Sequence, residues 1–203
     1  MTDANAILST MRVSERRLRH TLGVAEAAKM LAATHFADLD LKTVELAALM
    51  HDYTKEYPIE RHLELCALFG ENLTEDDIEN HKLLHAKTGS FLARDSFHLP
   101  EDACLAVYYH TTGRPNMTPF EIVIYLADYI EEFREDEGCI RLREYYQKRM
   151  AKEKNKNIAL VKTLIRSFDT TIKHLMSKGK TINETTVAAR NFYVKELARL
   201  LAK

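Results

Sequence analysis

The sequence contains few of the residues that interrupt helices. Only six glycines and four prolines occur in 203 residues, and runs that alternate apolar and polar residues, which are typical of β-strands, are missing. Apolar residues instead recur at the three- and four-residue spacing of a helix, for example at Leu18, Leu22, Ala25, Ala28 and Leu31. The sequence therefore predicts an all-α fold of about eight to ten helices.

Cysteine and excess charge are also scarce. The three cysteines, Cys66, Cys104 and Cys139, lie far apart and form no CxxC pair, which indicates free thiols in a reducing compartment. The formal net charge of -1 argues against nucleic acid as the main partner. The N-terminus lacks a basic flank leading into an apolar run, and no apolar run approaches membrane-spanning length. We therefore expect a soluble, cytoplasmic protein without a membrane partner.

Capping residues and composition mark helix boundaries. Thr118 is expected to cap a helix, with Pro119 in its first position and Glu121 closing a capping box. After Arg134 the composition changes, and this change separates the chain into two parts. The later part is expected to contain a turn at 135–139, a charged and solvated stretch at 148–157, and two helices near 156–177 and 183–202.

Polar side chains follow or interrupt apolar segments at several points. His51 and Asp52 come directly after the apolar run 46–50, and Asp128 lies within the apolar segment 123–130. A buried ionised carboxylate costs several kcal/mol unless it has a partner or a metal ion. For His51 and Asp52 alone, a histidine–aspartate hydrogen bond at the helix end is the simpler interpretation. Three more histidines in similar settings favour a metal site: His20, His85 and His110.

These six side chains provide four imidazoles and two carboxylates. Nitrogen and oxygen ligands without thiolate suit iron, manganese or zinc. Six ligands are more than one open catalytic metal needs, so the set favours a dinuclear site with Asp52 as the bridge. His81 lies one turn before His85 and competes for its role. The other histidines need no functional explanation: His35, His62, His98 and His174.

The order of these residues resembles the HD-domain metal-dependent phosphohydrolases. The segments RLRHTLGVAE, HDYTK, LLHAKTG, YYHTTG and LADYIEEFR resemble most closely one branch, the symmetrical bis(5'-nucleosyl)-tetraphosphatases, and TTVAARN matches more weakly. The likeness runs from about residue 12 to 191. It implies an all-α HD-domain bundle, with a metal-binding catalytic core at 12–135 and a C-terminal helical extension at 136–203 packed on that core.

The resemblance also implies a ligand set for two metal ions. One ion would be held by His20, His51, Asp52 and Asp128. The second would be held by His85 and His110, with Asp52 shared. We expect divalent or trivalent ions, with iron preferred and manganese or another transition metal as alternatives.

The expected reaction is symmetrical hydrolysis of diadenosine tetraphosphate to two molecules of ADP. Two metal ions would bind a bridging water and lower its pKa, and the resulting hydroxide would attack an inner phosphorus. Asp52 and Lys55 are the predicted catalytic residues. The predicted substrate contacts are Arg17, Lys55, Thr111 and Arg134. In one interpretation, Glu131 and Glu132 orient the neighbouring Arg134.

Two other functions are left open by the sequence. One is another HD phosphohydrolase, a nucleotidase or a guanosine polyphosphate hydrolase, which product analysis would distinguish. The other is a metal-bearing nucleotide sensor with little turnover, although the complete ligand set together with Lys55 and Arg134 favours an enzyme. The oligomeric state is also open, and a homodimer is one of the alternatives.

Overall fold

A computed structural model describes residues 3–202, except for the side chain of Asp76. Among these residues are one 3-10 turn at His81–Leu83, no β-strand, and eleven α-helices, which confirms the predicted all-α class. The helices are α1 (Ala4–Thr10), α2 (Glu15–His35), α3 (Leu41–Met50), α4 (Ile59–Leu68), α5 (Glu75–Glu79), α6 (Leu84–Asp95), α7 (Glu101–Tyr109), α8 (Pro119–Ile130), α9 (Glu137–Lys152), α10 (Lys156–Ser177) and α11 (Glu184–Leu201). No helix in this part of the chain has both the length and the apolar character needed to cross a membrane.

The predicted helix boundaries are confirmed in several places. The Thr118 hydroxyl accepts a hydrogen bond from the Glu121 backbone N–H, and the Glu121 carboxylate accepts one from the Thr118 N–H, which together make the capping box at the start of α8. The two expected C-terminal helices are α10 and α11. The three cysteines are free thiols, as predicted, and all three are buried.

Helix α9 was not predicted. The sequence indicates a turn at 135–139 and a solvated stretch at 148–157, and these two segments overlap the start and the end of the helix. The Asp136 carboxylate accepts hydrogen bonds from the backbone N–H groups of Gly138 and Cys139, which begins the helix. Leu142 and Tyr146, four residues apart, are buried on one face of α9. With this helix and the short α1 and α5, the number of helices exceeds the predicted range.

Helices α2, α3, α7 and α8 form the centre of the fold. Helix α2 packs along both α3 and α8, and α7 packs against α3, α6 and α8. Buried small residues on α2, among them Ala25 and Ala28, allow this close approach. Leu22 of the predicted apolar stripe differs, since it remains 43% exposed. The packing brings the C-terminal ends of α3, α7 and α8 close to the first turn of α6.

The C-terminal helices share their core with the first part of the chain. Phe168 of α10 is fully buried, and its ring stacks on that of Tyr125 in α8 with centroids 4.9 Å apart. The Tyr193 ring of α11 lies 6.2 Å from the Phe168 ring, and the Tyr193 hydroxyl accepts a hydrogen bond from the Met117 N–H. One hydrophobic cluster therefore includes residues from both parts. The division between residues 135 and 136 stays a prediction.

Two glycines in left-handed backbone conformation differ in their surroundings. Gly113, in the turn after α7, has φ +62°, and a Cβ there would lie 2.8 Å from the Phe168 ring. Gly179, after α10, has φ +61°, and a Cβ there would meet no atom within 4 Å. The left-handed conformation costs an ordinary residue about 1–2 kcal/mol. Replacing either glycine by alanine therefore carries that penalty, and only the replacement of Gly113 adds a clash.

Gly113→Ala should therefore destabilise the protein more than Gly179→Ala. Overpacking against a buried ring adds about 1–3 kcal/mol to the loss in unfolding free energy. Urea unfolding of both variants and the parent chain measures the difference. Equal losses for the two variants would contradict tight packing of the α7 turn on α10.

Candidate metal centre

Six side chains meet where the ends of several helices converge. They are His20 from α2, His51 and Asp52 immediately after α3, His85 from the first turn of α6, His110 immediately after α7, and Asp128 from α8. Five of them are at most 8% exposed, and the Asp128 side chain is 13% exposed. The structure thus brings together all six residues selected from the sequence. His81, the competitor of His85, is exposed.

The Asp52 carboxylate lies between two pairs of imidazoles. Its Oδ2 atom is 3.5 Å from His51 Nε2 and 3.7 Å from His20 Nε2. Its Oδ1 atom is 3.1 Å from His85 Nε2 and 3.7 Å from His110 Nε2. Each oxygen therefore belongs to a separate group of three ligand atoms that lie within 4.8 Å of one another.

Asp128 lies beside the pair that contains His20. Its Oδ1 atom is 3.0 Å from His20 Nε2 and 3.8 Å from His51 Nε2. The group around Oδ2 of Asp52 thus has a second carboxylate within reach, whereas the group around Oδ1 consists of imidazoles and Asp52 alone.

Backbone carbonyls fix the orientation of three of the rings. The Nδ1 atoms of His51, His85 and His110 lie 2.5, 2.6 and 2.7 Å from the carbonyl oxygens three residues earlier in the chain. A carbonyl only accepts, so each Nδ1 donates its proton, and in the neutral ring the lone pair is at Nε2. All three lone pairs are therefore directed toward Asp52.

Glu131 performs the same task for His20, and the sequence analysis missed it. Its Oε1 atom is 3.0 Å from His20 Nδ1, and its Oε2 atom accepts a hydrogen bond from the Phe133 N–H at 2.6 Å. The side chain is fully buried. Glu131 was expected to orient Arg134, but it orients His20 instead. Its position one turn after Asp128, at the end of an apolar helix, is the signal that marks it.

Burial and neighbouring charges set the protonation of the site. Burial lowers the pKa of His85 to about 3, so this ring is neutral at pH 7, and burial also lowers the pKa of His51. Burial alone would raise the pKa of Asp52, but the facing imidazoles, His51 first, hold it well below its ordinary value. The pKa of Asp128 is likewise low, because Arg134 and His20 outweigh its burial.

Three cationic side chains reach the two carboxylates. Arg17 Nη1 donates to Asp52 Oδ2 at 2.5 Å, and Arg134 Nη2 donates to Asp128 Oδ1 at 2.5 Å. Lys55 Nζ lies 3.0 Å from His85 Nε2 and 3.6 Å from Asp52 Oδ1. Burial lowers the pKa of the Lys55 ammonium. Of the predicted substrate contacts, only Thr111 has no hydrogen bond to these groups in the described chain; it is half-buried beside His110.

His62 is more buried than the sequence suggested, although it is not a member of either group. Its Nδ1 atom lies 2.9 Å from the Thr88 hydroxyl, which is 2.9 Å from the Thr54 hydroxyl, and Thr54 donates to the His85 carbonyl. His62 therefore supports the helix that carries His85. Of the other histidines, His35 contacts the Tyr146 hydroxyl at 3.0 Å.

The donor atoms of the site fit metal ions. His85 Nε2 is 3.1 Å from His110 Nε2, and His20 Nε2 is 3.4 Å from His51 Nε2. His85 and His110 donate through Nδ1 to carbonyls, so in the neutral rings their Nε2 lone pairs face each other. His20 differs: burial alone would lower its pKa, but the hydrogen bonds to Asp128 and Glu131 raise it. A bound cation would accept these Nε2 lone pairs, and imidazole and carboxylate donors suit transition metals. The donor chemistry of this cluster thus fits divalent metal binding.

Several known proteins are similar to this chain in sequence, and one of them is a solved structure with a similar fold. The HD-domain profile matches residues 17–132. A protein of Halalkalibacterium halodurans named bis(5'-nucleosyl)-tetraphosphatase, symmetrical, is 36% identical and aligns over 88% of this chain and 89% of its own. The Bacillus subtilis protein of the same name is 35% identical, and the alignment covers 90% of this chain and 92% of that protein. A crystal structure from Clostridium acetobutylicum is named a predicted HD superfamily hydrolase involved in NAD metabolism. It is 38% identical to this chain and superposes with a TM-score of 0.79, covering 91% of this chain and 92% of its own.

Glu131→Ala should lower metal affinity by about 10- to 100-fold, the usual effect of removing a carboxylate that orients a ligating histidine. Without Glu131, the His20 ring loses its fixed orientation and its Nδ1 partner. Calorimetric titration of metal into protein that a chelator has stripped of metal measures the change in affinity. Glu132→Ala removes an exposed neighbouring carboxylate and is the matched control. Equal affinities in the two variants would show that Glu131 does not support the site.

Proposed function

The chain belongs to the HD-domain family, among the symmetrical bis(5'-nucleosyl)-tetraphosphatases, and we propose that it hydrolyses diadenosine tetraphosphate to two molecules of ADP. One observation carries this proposal: the buried Asp52 carboxylate lies between two pairs of imidazoles, in a chain similar over most of its length to hydrolases of that name. Metal ions and arginines together suit phosphoric anhydrides, whose oxygens carry several negative charges.

The proposed site would hold two metal ions, with Asp52 as the ligand that they share. The support for two ions is that the two oxygens of Asp52 face separate groups. The first ion would have His20, His51, Asp52 and Asp128 as ligands, and the second His85, His110 and Asp52. Iron is the preferred metal and manganese the alternative, since the donors are nitrogen and oxygen only. When bound, such ions lower the pKa of water and polarise phosphoryl oxygens.

The basic side chains have the role of binding and orienting the phosphates. Arg17 and Arg134 each donate through one Nη atom to a carboxylate of the site. A guanidinium has five N–H donors, so both retain donors for non-bridging phosphate oxygens. Lys55 adds a compact positive charge beside Asp52, where the reacting phosphoryl group must lie. Thr111 is proposed to donate its hydroxyl beside His110.

The symmetry of the reaction follows from where these groups hold the substrate. Diadenosine tetraphosphate has two identical halves, so a single set of basic side chains needs to hold only one of them. If Arg17, Lys55 and Arg134 bind one ADP half, its inner phosphorus lies next to Asp52. The bond that opens is then the central anhydride, and the other half leaves as ADP.

A cytoplasmic location is also proposed. The three cysteines are free thiols and all of them are buried. Unpaired cysteines are usual in reducing compartments, whereas small secreted domains commonly form disulfides.

The products of diadenosine tetraphosphate hydrolysis should be ADP alone. Attack at an inner phosphorus in water enriched in heavy oxygen should place the label in one ADP of each pair. Chromatography with mass spectrometry of the products tests this. Formation of ATP with AMP would contradict the proposed reaction.

Asp52→Asn provides the matched negative control for this assay. An amide has the same size as the carboxylate but lacks its charge and is a poor bridge between ions, so turnover should be lost. A fully active Asp52→Asn protein would exclude the central role of this residue.

Arg134→Ala should raise the KM for diadenosine tetraphosphate by roughly ten- to a hundred-fold, because a charge-assisted contact contributes about 1.5–3 kcal/mol. Metal content should remain near that of the parent chain, since the imidazoles stay in place. Steady-state kinetics and metal analysis measure both quantities. Arg199→Ala, which removes an exposed arginine from α11, is the charge-matched control. Loss of metal from Arg134→Ala would instead assign Arg134 to support of Asp128.

A further inference from the structure

A cavity of about 470 Å³ opens beside His20 and has four arginines in its wall. Its volume lies within the range of about 300–1,000 Å³ that is usual for small-molecule sites. Exposure increases outward, from buried His20 through half-buried Arg17 and Arg134 to exposed Arg16 and Arg19. Because His20, Arg17 and Arg134 also contact the two carboxylates of the metal centre, the cavity is continuous with that centre.

The two outer arginines have no acidic partner among the side chains that the structure describes. Neither Arg16 nor Arg19 forms an ion pair there, although four carboxylates also line the cavity. Three of these carboxylates already accept hydrogen bonds from other groups. Glu56 accepts from the N–H and hydroxyl of Ser14, Glu131 contacts His20, and Asp136 caps α9. Since neither Arg16 nor Arg19 forms an ion pair with any of the four described carboxylates, Glu135 included, their N–H donors can contact an anion in the cavity.

Arg19 is also held in position. Its guanidinium carbon lies 4.4 Å from the centre of the Phe133 ring, a cation–π contact. Gly23, one turn further along α2, leaves the room that Phe133 occupies, because a Cβ at this position would clash with the ring and with Glu131. A side chain held in this way loses less conformational entropy when it binds a ligand.

We propose that this cavity, named here the arginine cavity, binds the second ADP half of the substrate, with Arg16 and Arg19 as contacts to its phosphate oxygens. The inference rests on the proposed function and extends it to the leaving half. Arg17 and Arg134 lie on the path between the metal centre and the outer arginines. A polyphosphate that passes them therefore has one half at the metals and the other in the cavity. The chemical class of the ligand is a nucleoside diphosphate.

Titration of ADP into the metal-loaded full-length chain tests this directly, because ADP is a product and is not consumed. Calorimetry should find two ADP molecules bound per chain, one for each half-site. Arg16→Ala and Arg19→Ala should each weaken one of the two by about three- to tenfold, the effect of losing a partly exposed charged contact. The other ADP should bind as in the parent chain. Arg199→Ala should change neither affinity.

Steady-state kinetics gives an independent readout. Both variants should raise the KM for diadenosine tetraphosphate more than they lower kcat, with unchanged metal content, because binding of the leaving half does not alter the metal centre. Phe133→Leu should act in the same direction through loss of the support for Arg19. Arg19→Lys should lie between the parent and Arg19→Ala, since lysine retains the charge without the planar fork.

Three results would overturn the inference. The first is a single ADP per chain with an affinity that neither arginine substitution changes. The second is a single ADP that both substitutions weaken, since then there is no separate half-site. The third is loss of metal from Arg16→Ala, which touches no ligand. Failure of the proposed function would be seen differently, as absence of ADP release from diadenosine tetraphosphate by the parent chain.

Discussion

The structure depends on one buried carboxylate. Asp52 is 2% exposed and ionised, and a charge removed from water in this way destabilises the fold by several kcal/mol unless its lone pairs have partners. Its two oxygens face separate groups. Arg17 donates to Oδ2, Lys55 lies 3.6 Å from Oδ1, and a pair of imidazoles lies beside each oxygen. Helices α2 and α3 supply one pair, and α6 and α7 supply the other. The convergence of these helices therefore surrounds Asp52 both with cationic side chains and with nitrogen donors that suit a metal ion.

The ends of the helices contribute more than position. The last carbonyls of a helix have no partner within it. The Val107 carbonyl is of this kind, and the Ala48 carbonyl accepts a long bond of 3.4 Å from the His51 backbone N–H. His51 and His110 donate to them through Nδ1 and so satisfy the helix end and orient their own rings with the same bond. Histidine placed immediately after a helix therefore closes that helix and directs Nε2 toward the centre.

A second layer of contacts connects the site to the surface. Glu131 links His20 to the backbone of Phe133, and Phe133 supports Arg19 at the cavity wall. This arrangement requires a residue without a Cβ at position 23 of α2, because Gly23 lies against the side chains of Glu131 and Phe133. The orientation of a candidate metal ligand and that of an outer arginine thus rest on the same few residues. Helix α10 packs on the first part of the chain through Phe168, whose ring lies beside Gly113 and Tyr125.

The sequence by itself determined the helical class, the capped start of α8 and the six polar residues of the site, because each of these leaves a local signal. Periodicity reveals a helix, and a histidine or aspartate within an apolar run reveals a buried polar group. Helix α9 was not predicted because Leu142 and Tyr146 form most of its apolar face and stand among many charged residues. The tertiary structure alone decided that Glu131 serves His20, 111 positions away, rather than the nearby Arg134. It also decided which oxygen of Asp52 faces which imidazoles, since such pairings depend on how helices pack and not on the order of residues along the chain.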